Sequence, residues 1–571
     1  MEGLLRTVPT GAWSDPAGQG WQRVKDNARR EVWRAVLGGV PCYLKYFAHD
    51  YWLRRWRHLL RAPACRAEWE GGLYTFRAGV SAPSPVAYAV NVPRGRRRCD
   101  LLITQAIEPT QPLNEFWQQL AGDTDDGRRR SDQAQLIELL AELIARAHQA
   151  GFQHLDMHAA NILVQPVAPR RYRAVFVDLQ SARRGVPLSD AAVVRNLAQL
   201  NQWFRRHSSI GDRLRFLRAY LRWRNEVETQ FDHGRPLGLS FRDLVAALRL
   251  AAARHAARLW AQRDRRADRS GRYFTRFRLP DGWRGWAVAV CKHPLAESRA
   301  SHLEFRRAWW RERLASPLRW FEQAGTDACK VSHSAVVRRA VLEHDAGHVP
   351  VIVKRPLARD WQRRWAALWP PSRSRRGWQT GHALLHRDLP TARPLAVLER
   401  RWGPLILDSV LVTEAIPGAV DLERFLKREA GRHAPGDWHR MKLALLRIMV
   451  RNLRRLHERG FVHRDCKAGN LLAVQQPELG LLWIDMDGLR RRQATDADVH
   501  RALVRLHVSL LSVPGLTRTD RVRFLKLYFA RFGVAADTWR AIWPELERAS
   551  AAKIAAKEVR RRWKLAHYGR A

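Results

Sequence analysis

Two stretches of the sequence are near copies of one another, and they constrain the fold more than any other feature. They read GFQHLDMHAANIL (151–163) and GFVHRDCKAGNLL (460–472), and both keep His, Asp, Ala, Asn and an apolar tail at the same spacing. Asp465 of the second stretch lies 309 residues after Asp156 of the first. Such a match needs a common cause, either shared chemistry or an internal duplication.

The same offset recurs elsewhere in the chain, in segments far from the two loops. Lys354 lies 309 residues after Lys45, and Thr413 lies 309 residues after Thr104. A constant spacing over separated segments predicts two tandem domains of one fold. The aligned pairs are PCYLKYF (41–47) with PVIVKRP (350–356), LITQAIEPTQPLNEF (102–116) with LVTEAIPGAVDLERF (411–425), and, one residue off, DRLRFLRAYL (212–221) with DRVRFLKLYF (520–529).

Each half is expected to run from strands that carry a Lys to a helical lobe, giving an α+β fold class. A chain of 571 residues is too long for one core. Apolar residues three and four apart precede each loop and predict a helix that ends at Gly151 or Gly460, because glycine tolerates the left-handed conformation found there. The apolar runs 174–178 and 481–485 predict buried strands. The predicted domains are 1–269 (lobes about 20–108 and 109–268) and 270–571 (lobes about 270–415 and 416–571), joined in the charged stretch 263–271.

Composition restricts the class of partner and the compartment. Lys and Arg number 101 against 55 Asp and Glu, a formal net charge of +46, which favours phosphates, acidic lipid or nucleic acid as partners. An arginine-rich genome explains the excess equally well. The six cysteines form no CxxC pair, which argues against a zinc site or a disulfide framework. Neither a signal peptide nor a run of about 18 apolar residues is found, so the protein is expected to be cytosolic or peripheral.

Tryptophan and arginine occur side by side in two stretches, YWLRRWRHLLR (51–61) and FRRAWWRERL (305–314). Aromatic rings beside cations are favoured at a lipid headgroup layer. Ordinary helix packing with a solvated basic face is the simpler interpretation, and the sequence favours it slightly.

The repeated segments carry the side chains that phosphoryl transfer from ATP needs. Such transfer requires a cation on the phosphates, oxygen ligands for Mg²⁺ and a carboxylate beside the acceptor hydroxyl. A strand Lys can contact the α- and β-phosphates, a loop Asp can accept the proton, and a loop Asn with a strand-end Asp can hold the metal. The candidates are Lys45, Asp156, Asn161 and Asp178 in the first half and Lys354, Asp465, Asn470 and Asp485 in the second.

These residues resemble the protein-kinase-like superfamily, through HxDxxxxN followed by a metal-binding Asp and preceded by a strand Lys. Within it, the chain looks most like the bacterial lipopolysaccharide core kinases, which phosphorylate heptose or Kdo sugars. The stretches that carry this resemblance are 24–47, 68–88 and 151–163 in the first half and 330–342 and 377–397 in the second.

The resemblance implies two tandem bilobal protein-kinase-like domains, each with a small antiparallel-sheet N-lobe and a mainly helical C-lobe. It implies ATP and Mg²⁺ as cofactors and a lipopolysaccharide core glycolipid as acceptor, at the anionic inner-membrane leaflet of a Gram-negative cell. The expected localisation is cytoplasmic and peripheral to that membrane. Nucleic acid is not the favoured partner, and no obligate protein partner is inferred. Lys467 corresponds to a lysine that contacts the γ-phosphate in Ser/Thr protein kinases, and Glu68 to the ion-pair partner of the strand Lys.

The chain departs from the superfamily pattern in several places. No GxGxxG precedes either strand Lys, so the hairpins around KDNARR (25–30) and KVSHS (330–334), with Ser332 and Ser334, are the candidates for covering the phosphates. At the position of Glu68 the second half has Gly377, and no acid occurs from Trp361 through Arg387. Lys354 therefore lacks the expected partner.

Other differences divide the two halves. The first half has Leu155 where many kinases have Arg, and DLQ (178–180) where the second has DMDG (485–488). His158 is typical of small-molecule phosphotransferases, whereas Lys467 is typical of protein kinases. His154 and His463 are expected to brace their loops rather than to act as acid or base.

Three alternatives to a sugar kinase stay open. The first is a protein kinase, although no Ala-Pro-Glu follows either metal Asp and little room is left for a peptide-docking segment. The second is one active domain paired with a regulatory pseudokinase domain. The third, motivated by charge alone, is a nucleic-acid-binding or scaffold protein, which predicts salt-sensitive retention of RNA or DNA.

Overall fold

The computed structural model describes the chain from residue 10 to residue 568, apart from several gaps. The gaps are residues 28–29, 49–61, 95–96, 232, 293–301, 323–327, 333, 346, 358–370, 476–477, 531–534 and 536. The chain divides into two compact units, Met1–Arg258 and Leu259–Ala571. This division lies a few residues before the charged stretch in which the sequence places the join.

The first unit begins with a five-stranded antiparallel sheet in the order β1-β2-β3-β5-β4. Its strands are β1 (Gln22–Asn27), β2 (Arg30–Leu37), β3 (Val40–Ala48), β4 (Pro85–Arg94) and β5 (Arg97–Gln105), and α1 (Ala64–Arg77) lies between β3 and β4 in the chain. Burial alternates along β3, so that Cys42, Leu44 and Tyr46 enter the core while Lys45 lies on the other face. Lys45 is paired with Val32 on one side and Leu102 on the other, which places it in the middle of the sheet.

The rest of the first unit is mainly helical. Its helices are α2 (Leu113–Ala121), α3 (Asp126–Gln149), α4 (Asp190–His207), α5 (Ile210–Glu228) and α6 (Phe241–Arg266), whose last turns belong to the second unit. Two small sheets accompany them, formed by β6 (Gln111–Pro112), β8 (Ile162–Ala168) and β9 (Arg171–Phe176), and by β7 (Gln153–His154) and β10 (Ala182–Arg183). The predicted face of α3 is buried in the core, including Leu136, Leu140 and Ile144. The helix ends before Gly151, whose φ is +72°, as the sequence predicts.

The second unit begins with a larger sheet of seven strands in the order β11-β12-β18-β19-β17-β16-β15. Its strands are β11 (Phe274–Arg278), β12 (Trp283–Val288), β15 (Ala328–Ser332), β16 (Ala335–His344), β17 (Gly347–Pro356), β18 (Pro394–Trp402) and β19 (Leu405–Glu414), with β13 (Val290–Lys292) and β14 (His302–Glu304) paired separately. The helices of this part are α7 (Arg307–Arg313), α8 (Arg319–Glu322) and α9 (Arg373–His386). Lys354 of β17 is paired with Val337 and Leu411, the same arrangement as around Lys45.

The remainder of the second unit repeats the helical part of the first. Its helices are α10 (Leu422–Ala430), α11 (Pro435–Glu458), α12 (Asp496–Leu510), α13 (Arg518–Phe529) and α14 (Thr538–Tyr568). Its short strands are β20 (Val420–Asp421), β21 (Phe461–His463), β22 (Leu471–Val474), β23 (Gly480–Trp483) and β24 (Leu489–Arg491). Helix α11 ends before Gly460, with a φ of +76°, at the position equivalent to Gly151.

These observations settle the fold predictions made from the sequence. The α+β class is confirmed, and each of the two units has an antiparallel sheet before a mainly helical part, as the sequence predicts. In the stretch 305–314 the Trp310 ring packs in the core, where it is fully buried and its Nε1 donates to the Val288 carbonyl at 2.8 Å. The stretch 51–61 lies outside the described residues. Among the described residues, no helix is both long enough and apolar enough to cross a membrane.

Candidate active sites

The loop after α3 is held in place by a buried histidine. His154 shares a hydrogen bond between its Nε2 and the Val177 carbonyl at 2.9 Å, and its Nδ1 accepts one from the Asp156 backbone N–H at 3.3 Å. These bonds require the Nε2–H tautomer, and burial lowers the pKa of His154. A neutral, doubly bonded imidazole fits the expected structural role.

Asp156 presents an ionised carboxylate to solvent at the end of this loop. The Asn161 side-chain amide donates to the Asp156 carbonyl at 3.0 Å and to its Oδ2 at 3.4 Å. His158 Nε2 lies 3.4 Å from the same oxygen, and this contact is the main reason that the pKa of Asp156 is lowered. With 67% of its side chain exposed, Asp156 can approach an acceptor hydroxyl. The structure thus brings Asp156 and Asn161 together, as the sequence predicts.

The strand lysine of the first unit is paired with the predicted acid. Lys45 Nζ donates to Glu68 Oε1, and the Glu68 side chain is 4% exposed. The other oxygen, Glu68 Oε2, is buried with no hydrogen-bond partner. Burying a carboxylate is costly unless a cation compensates it, so this pair fixes the ammonium group at one place on the sheet.

Asp178 lies opposite this pair and is held by a cation that the sequence analysis did not select. Asp178 has a left-handed backbone (φ +66°), which is unusual outside glycine and is often found at functional sites. Arg30 donates to both of its oxygens, at 2.5 and 3.3 Å. Burial opposes ionisation, but Arg30 and, more weakly, Lys45 outweigh it, so the pKa of Asp178 lies below its usual range. Lys45 and Asp178 therefore belong to one cleft.

The only signal for Arg30 in the sequence is its place in the hairpin 25–30, proposed as phosphate cover. Arg30 is the first residue of β2, next to the turn of that hairpin. Residues 28 and 29, at the turn itself, lie outside the described residues. In the second unit the side chain of Ser332 is likewise outside them, while the carbonyl of Ser334 accepts from Arg373 Nη1 at 3.1 Å.

The loop after α11 repeats the first loop with more positive charge around the carboxylate. Asn470 donates to the Asp465 carbonyl at 2.7 Å and to its Oδ2 at 3.3 Å. Lys467 Nζ lies 2.6 Å from Oδ2, and Arg505 Nη1 lies 3.4 Å from Oδ1. Burial works against the charge, but Lys467 outweighs it and the pKa of Asp465 is lowered. His463 braces this loop as His154 braces the first, accepting from the Asp465 N–H at 3.1 Å.

Lys354 is paired with two acids although α9 supplies none. Its Nζ donates to Asp485 Oδ1 at 2.6 Å and to Asp487 Oδ1 at 3.2 Å. Arg373 donates to Asp487 Oδ2 from Nε at 2.9 Å and lies 2.7 Å from it through Nη2. Burial alone would lower the pKa of Lys354, but the two carboxylates outweigh it and raise it. As the sequence predicts, the helix supplies no acid to Lys354, and the acids that pair with it lie instead at the turn after β23.

The residues present fit a divalent cation in the first unit. Among the described residues, no group of three or more His, Cys, Asp or Glu side chains could hold a metal by itself. The Asn161 NH₂ group is committed to Asp156, which leaves its oxygen for a cation, and the Asp178 carboxylate already faces the Arg30 guanidinium. An Asn and an Asp oxygen, completed by phosphate and water, make up an ordinary Mg²⁺ site. In the second unit the corresponding groups are Asn470 and Asp485.

Comparison with known proteins identifies the family. The model of the lipopolysaccharide kinase (Kdo/WaaP) family matches residues 20–220 and 344–528, together more than half of the chain. The chain belongs to this family. Both matched segments contain a loop with the Asp and Asn described above, so the two units of this Kdo/WaaP family member each carry the family's sequence pattern.

Individual relatives in the Kdo/WaaP family match one part of the chain. The lipopolysaccharide core heptose(I) kinase WaaP of Pseudomonas aeruginosa is 33% identical over 171 residues, covering 29% of this chain and 62% of the relative. The enzyme of the same name from Escherichia coli is 29% identical over 161 residues, covering 27% and 59%. The chain thus spans about six tenths of the length of these relatives. A solved structure of WaaP in complex with acyl carrier protein is 21% identical, with a TM-score of 0.30, over 43% of this chain and 96% of that one.

Proposed function

We propose that this protein is an ATP-dependent phosphotransferase that phosphorylates a sugar hydroxyl of the lipopolysaccharide inner core, a heptose or Kdo, at the cytoplasmic face of the inner membrane. The observation that carries the proposal is the cleft of the first unit. There, Lys45, paired with the buried Glu68, lies close enough to Asp178 to help lower its pKa. Val177, the residue before Asp178, donates its backbone N–H to the carbonyl of Asn161 in the loop that bears Asp156, at 3.0 Å.

Each side chain of this cleft has a distinct role in the proposal. Lys45, fixed by Glu68, binds the phosphates of ATP. Asp156 accepts the proton of the attacking hydroxyl, since its carboxylate is ionised and open to solvent. Asn161 and Asp178 would hold Mg²⁺, and the chemistry supplied by the bound metal is neutralisation of charge on the transferred phosphoryl group.

The nature of the acceptor rests on the relatives and on the charge of the chain. Both relatives described above are named as core heptose(I) kinases, so a heptose is the first acceptor to test. The inner core carries carboxylates and phosphates, and the leaflet beside it is anionic. A net charge of +46 suits both, because each Lys or Arg near such a surface contributes about 1 kcal/mol of attraction.

The test is an acceptor assay with full-length protein, Mg²⁺ and γ-labelled ATP. Deacylated core glycan and a generic protein substrate are offered separately. We expect label on the glycan, and Asp156→Ala should lower the rate from the first unit about 10²–10⁴-fold, the range for loss of a general base. Asp126→Asn, at an exposed carboxylate on α3, is the matched control and should leave the rate unchanged.

Comparing Asp156→Ala with Asp465→Ala and with the double variant assigns the activity to one unit or to both. Transfer to glycan that persists in the double variant would refute both loops as catalytic. Labelling of the generic protein in place of the glycan would establish the protein-kinase alternative instead.

A further inference from the structure

The helix beside Lys354 carries glycine where the helix beside Lys45 carries the acid. Glu68 and Gly377 are each the fifth residue of their helices, α1 and α9. A Cβ at Gly377 would lie only 2.9 Å from Leu411 Cδ2, so the helix packs closely against β19 at this point. The usual partner of the strand lysine is therefore missing from α9, and Leu411 would have to move before a longer side chain could enter.

An acid in the turn after β23 takes the place of the missing helix acid. Asp487 is the middle residue of the short 3₁₀ turn Met486–Gly488, directly after Asp485. One of its oxygens accepts from Lys354 and the other from Arg373, and the Asp487 side chain is only 10% exposed. Arg373 is the first residue of α9, one turn before Gly377. The helix thus still acts on the lysine, but through an arginine that orients the carboxylate.

Around the strand lysine, the two units reach the same sum of charges with different residues. The first cleft contains Lys45, Arg30, Glu68 and Asp178, two cations and two acids. The second contains Lys354, Arg373, Asp485 and Asp487, again two of each. Arg30 lies two residues before Val32, the strand partner of Lys45. The corresponding residue of the second unit, two residues before Val337, is Ala335. Gln180 occupies the middle of the 3₁₀ turn in the first unit, where the second has Asp487.

We propose that Asp487 does for Lys354 what Glu68 does for Lys45, with Arg373 as the positioning residue of Asp487, and that the second unit therefore binds nucleotide phosphates in its own cleft. This inference rests on the proposed function, because it assigns the ligand of the first cleft to the second. An unpaired lysine would be free to change rotamer, whereas Lys354 is held between two carboxylates of one turn. The absence of a glutamate at position 377 is thus no evidence that the second unit has lost the ability to bind nucleotide.

The test counts nucleotide sites on the full-length protein by calorimetric titration with the non-hydrolysable ATP analogue AMP-PNP and Mg²⁺. Wild-type protein should bind two equivalents. Asp487→Asn should weaken one of them by at least about tenfold, as expected for a lost hydrogen bond between charged groups. Glu68→Gln should weaken the other. Asp408→Asn is the matched control, since it removes a buried carboxylate that pairs with Arg355 in the same sheet, outside this network.

A rescue variant separates positioning from mere stability. Gly377→Glu combined with Asp487→Gln returns the acid to the helix and places the first unit's residue in the turn, so the second equivalent should come back. This variant also decides the matter if Asp487→Asn alone fails to fold. Two equivalents that survive Asp487→Asn unchanged would overturn the inference, as would a single equivalent that only Glu68→Gln abolishes. Absence of any binding by wild-type protein would instead overturn the proposed function.

Discussion

At the scale of single residues, the two loop carboxylates differ most in the side chain two positions later. In the first unit Asp156 has His158 beside it, and in the second Asp465 has both Lys467 and Arg505. Lysine and arginine keep their charge at neutral pH. A carboxylate held by two permanent cations is a weaker base and approaches a hydroxyl less freely. The first unit is therefore the better candidate for fast transfer.

Arg30 leads to a prediction about nucleotide affinity. The guanidinium lies on Asp178, next to the hairpin turn that would cover the phosphates. If Asp178 holds Mg²⁺, Arg30 would pair with phosphate oxygens instead, since these suit a charge-assisted bidentate contact. Arg30→Gln should raise the KM for ATP about tenfold with little change in kcat. Steady-state kinetics with varied ATP measures this.

The control for Arg30 is Arg34→Gln on the same strand. Arg34 is paired with Glu108 instead of with a cleft residue, so the KM for ATP should stay unchanged. If Arg30→Gln lowers the KM, Arg30 only competes with the metal for Asp178, and the phosphate role is wrong.

The residues that could be predicted from the sequence are those that the repeat itself marks. Lys45, Asp156 and Asn161 recur at a fixed offset, and Glu68 follows from the family pattern. Arg30, Arg373 and Asp487 could not be predicted, because each belongs to only one unit and finds its partner more than a hundred residues away. No spacing rule marks such a contact. It arises only when the strand, the helix and the turn have been brought together by the core.

At the scale of elements, the glycines that end α3 and α11 occupy the same position but different surroundings. A Cβ on Gly151 would lie 1.9 Å from the Gly185 carbonyl oxygen, whereas a Cβ on Gly460 would meet no heavy atom within 4 Å. Both have positive φ, so alanine at either position carries the left-handed penalty of about 1 kcal/mol. Gly151→Ala must in addition displace the backbone at Gly185.

We therefore expect Gly460→Ala to lower the free energy of unfolding of its unit by about 1 kcal/mol and Gly151→Ala by about 3 kcal/mol or more. Scanning calorimetry on the full chain, with the transitions of the two units resolved, measures both changes. Equal effects would mean that the segment around Gly185 yields easily and that the close approach is not maintained.

The helices and loops of both units agree with the sequence patterns, but the size of the second sheet does not follow from them. Strand β12 pairs with β18, and β11 pairs with β12, so the two strands extend the sheet at one edge. Their residues lie between the two segments that match the family. Strand β12 gains stability from its pairing with β18, which lies far along the chain, so local alternation alone does not reveal that this hairpin joins the sheet.

At the scale of the whole molecule, the net positive charge does not come from the groups around the strand lysines. The four charged groups around each strand lysine cancel, so the excess of +46 lies on other residues. An excess outside the clefts suits an extended anionic partner better than a single triphosphate. This is the physical basis for proposing a membrane-bound, negatively charged acceptor.

The protein should accordingly sediment with anionic phospholipid vesicles at low ionic strength and be released as salt is raised to about 0.5 M, where screening shortens the range of charge attraction to a few ångströms. Zwitterionic vesicles provide the matched control and should retain little. Retention by RNA that exceeds retention by anionic vesicles at the same salt would favour the nucleic-acid alternative.

The exchange of Glu68 for the Asp487–Arg373 pair has a consequence for how the two units could diverge. Removing the helix acid first would leave the Lys354 ammonium paired with Asp485 alone, the carboxylate that is also proposed to hold the metal. Gaining the turn acid first creates an ancestor with both, which stays functional while either one is lost. Electrostatics therefore favours gain of the turn acid before loss of the helix acid, and a related sequence that carries both acids is the intermediate to look for.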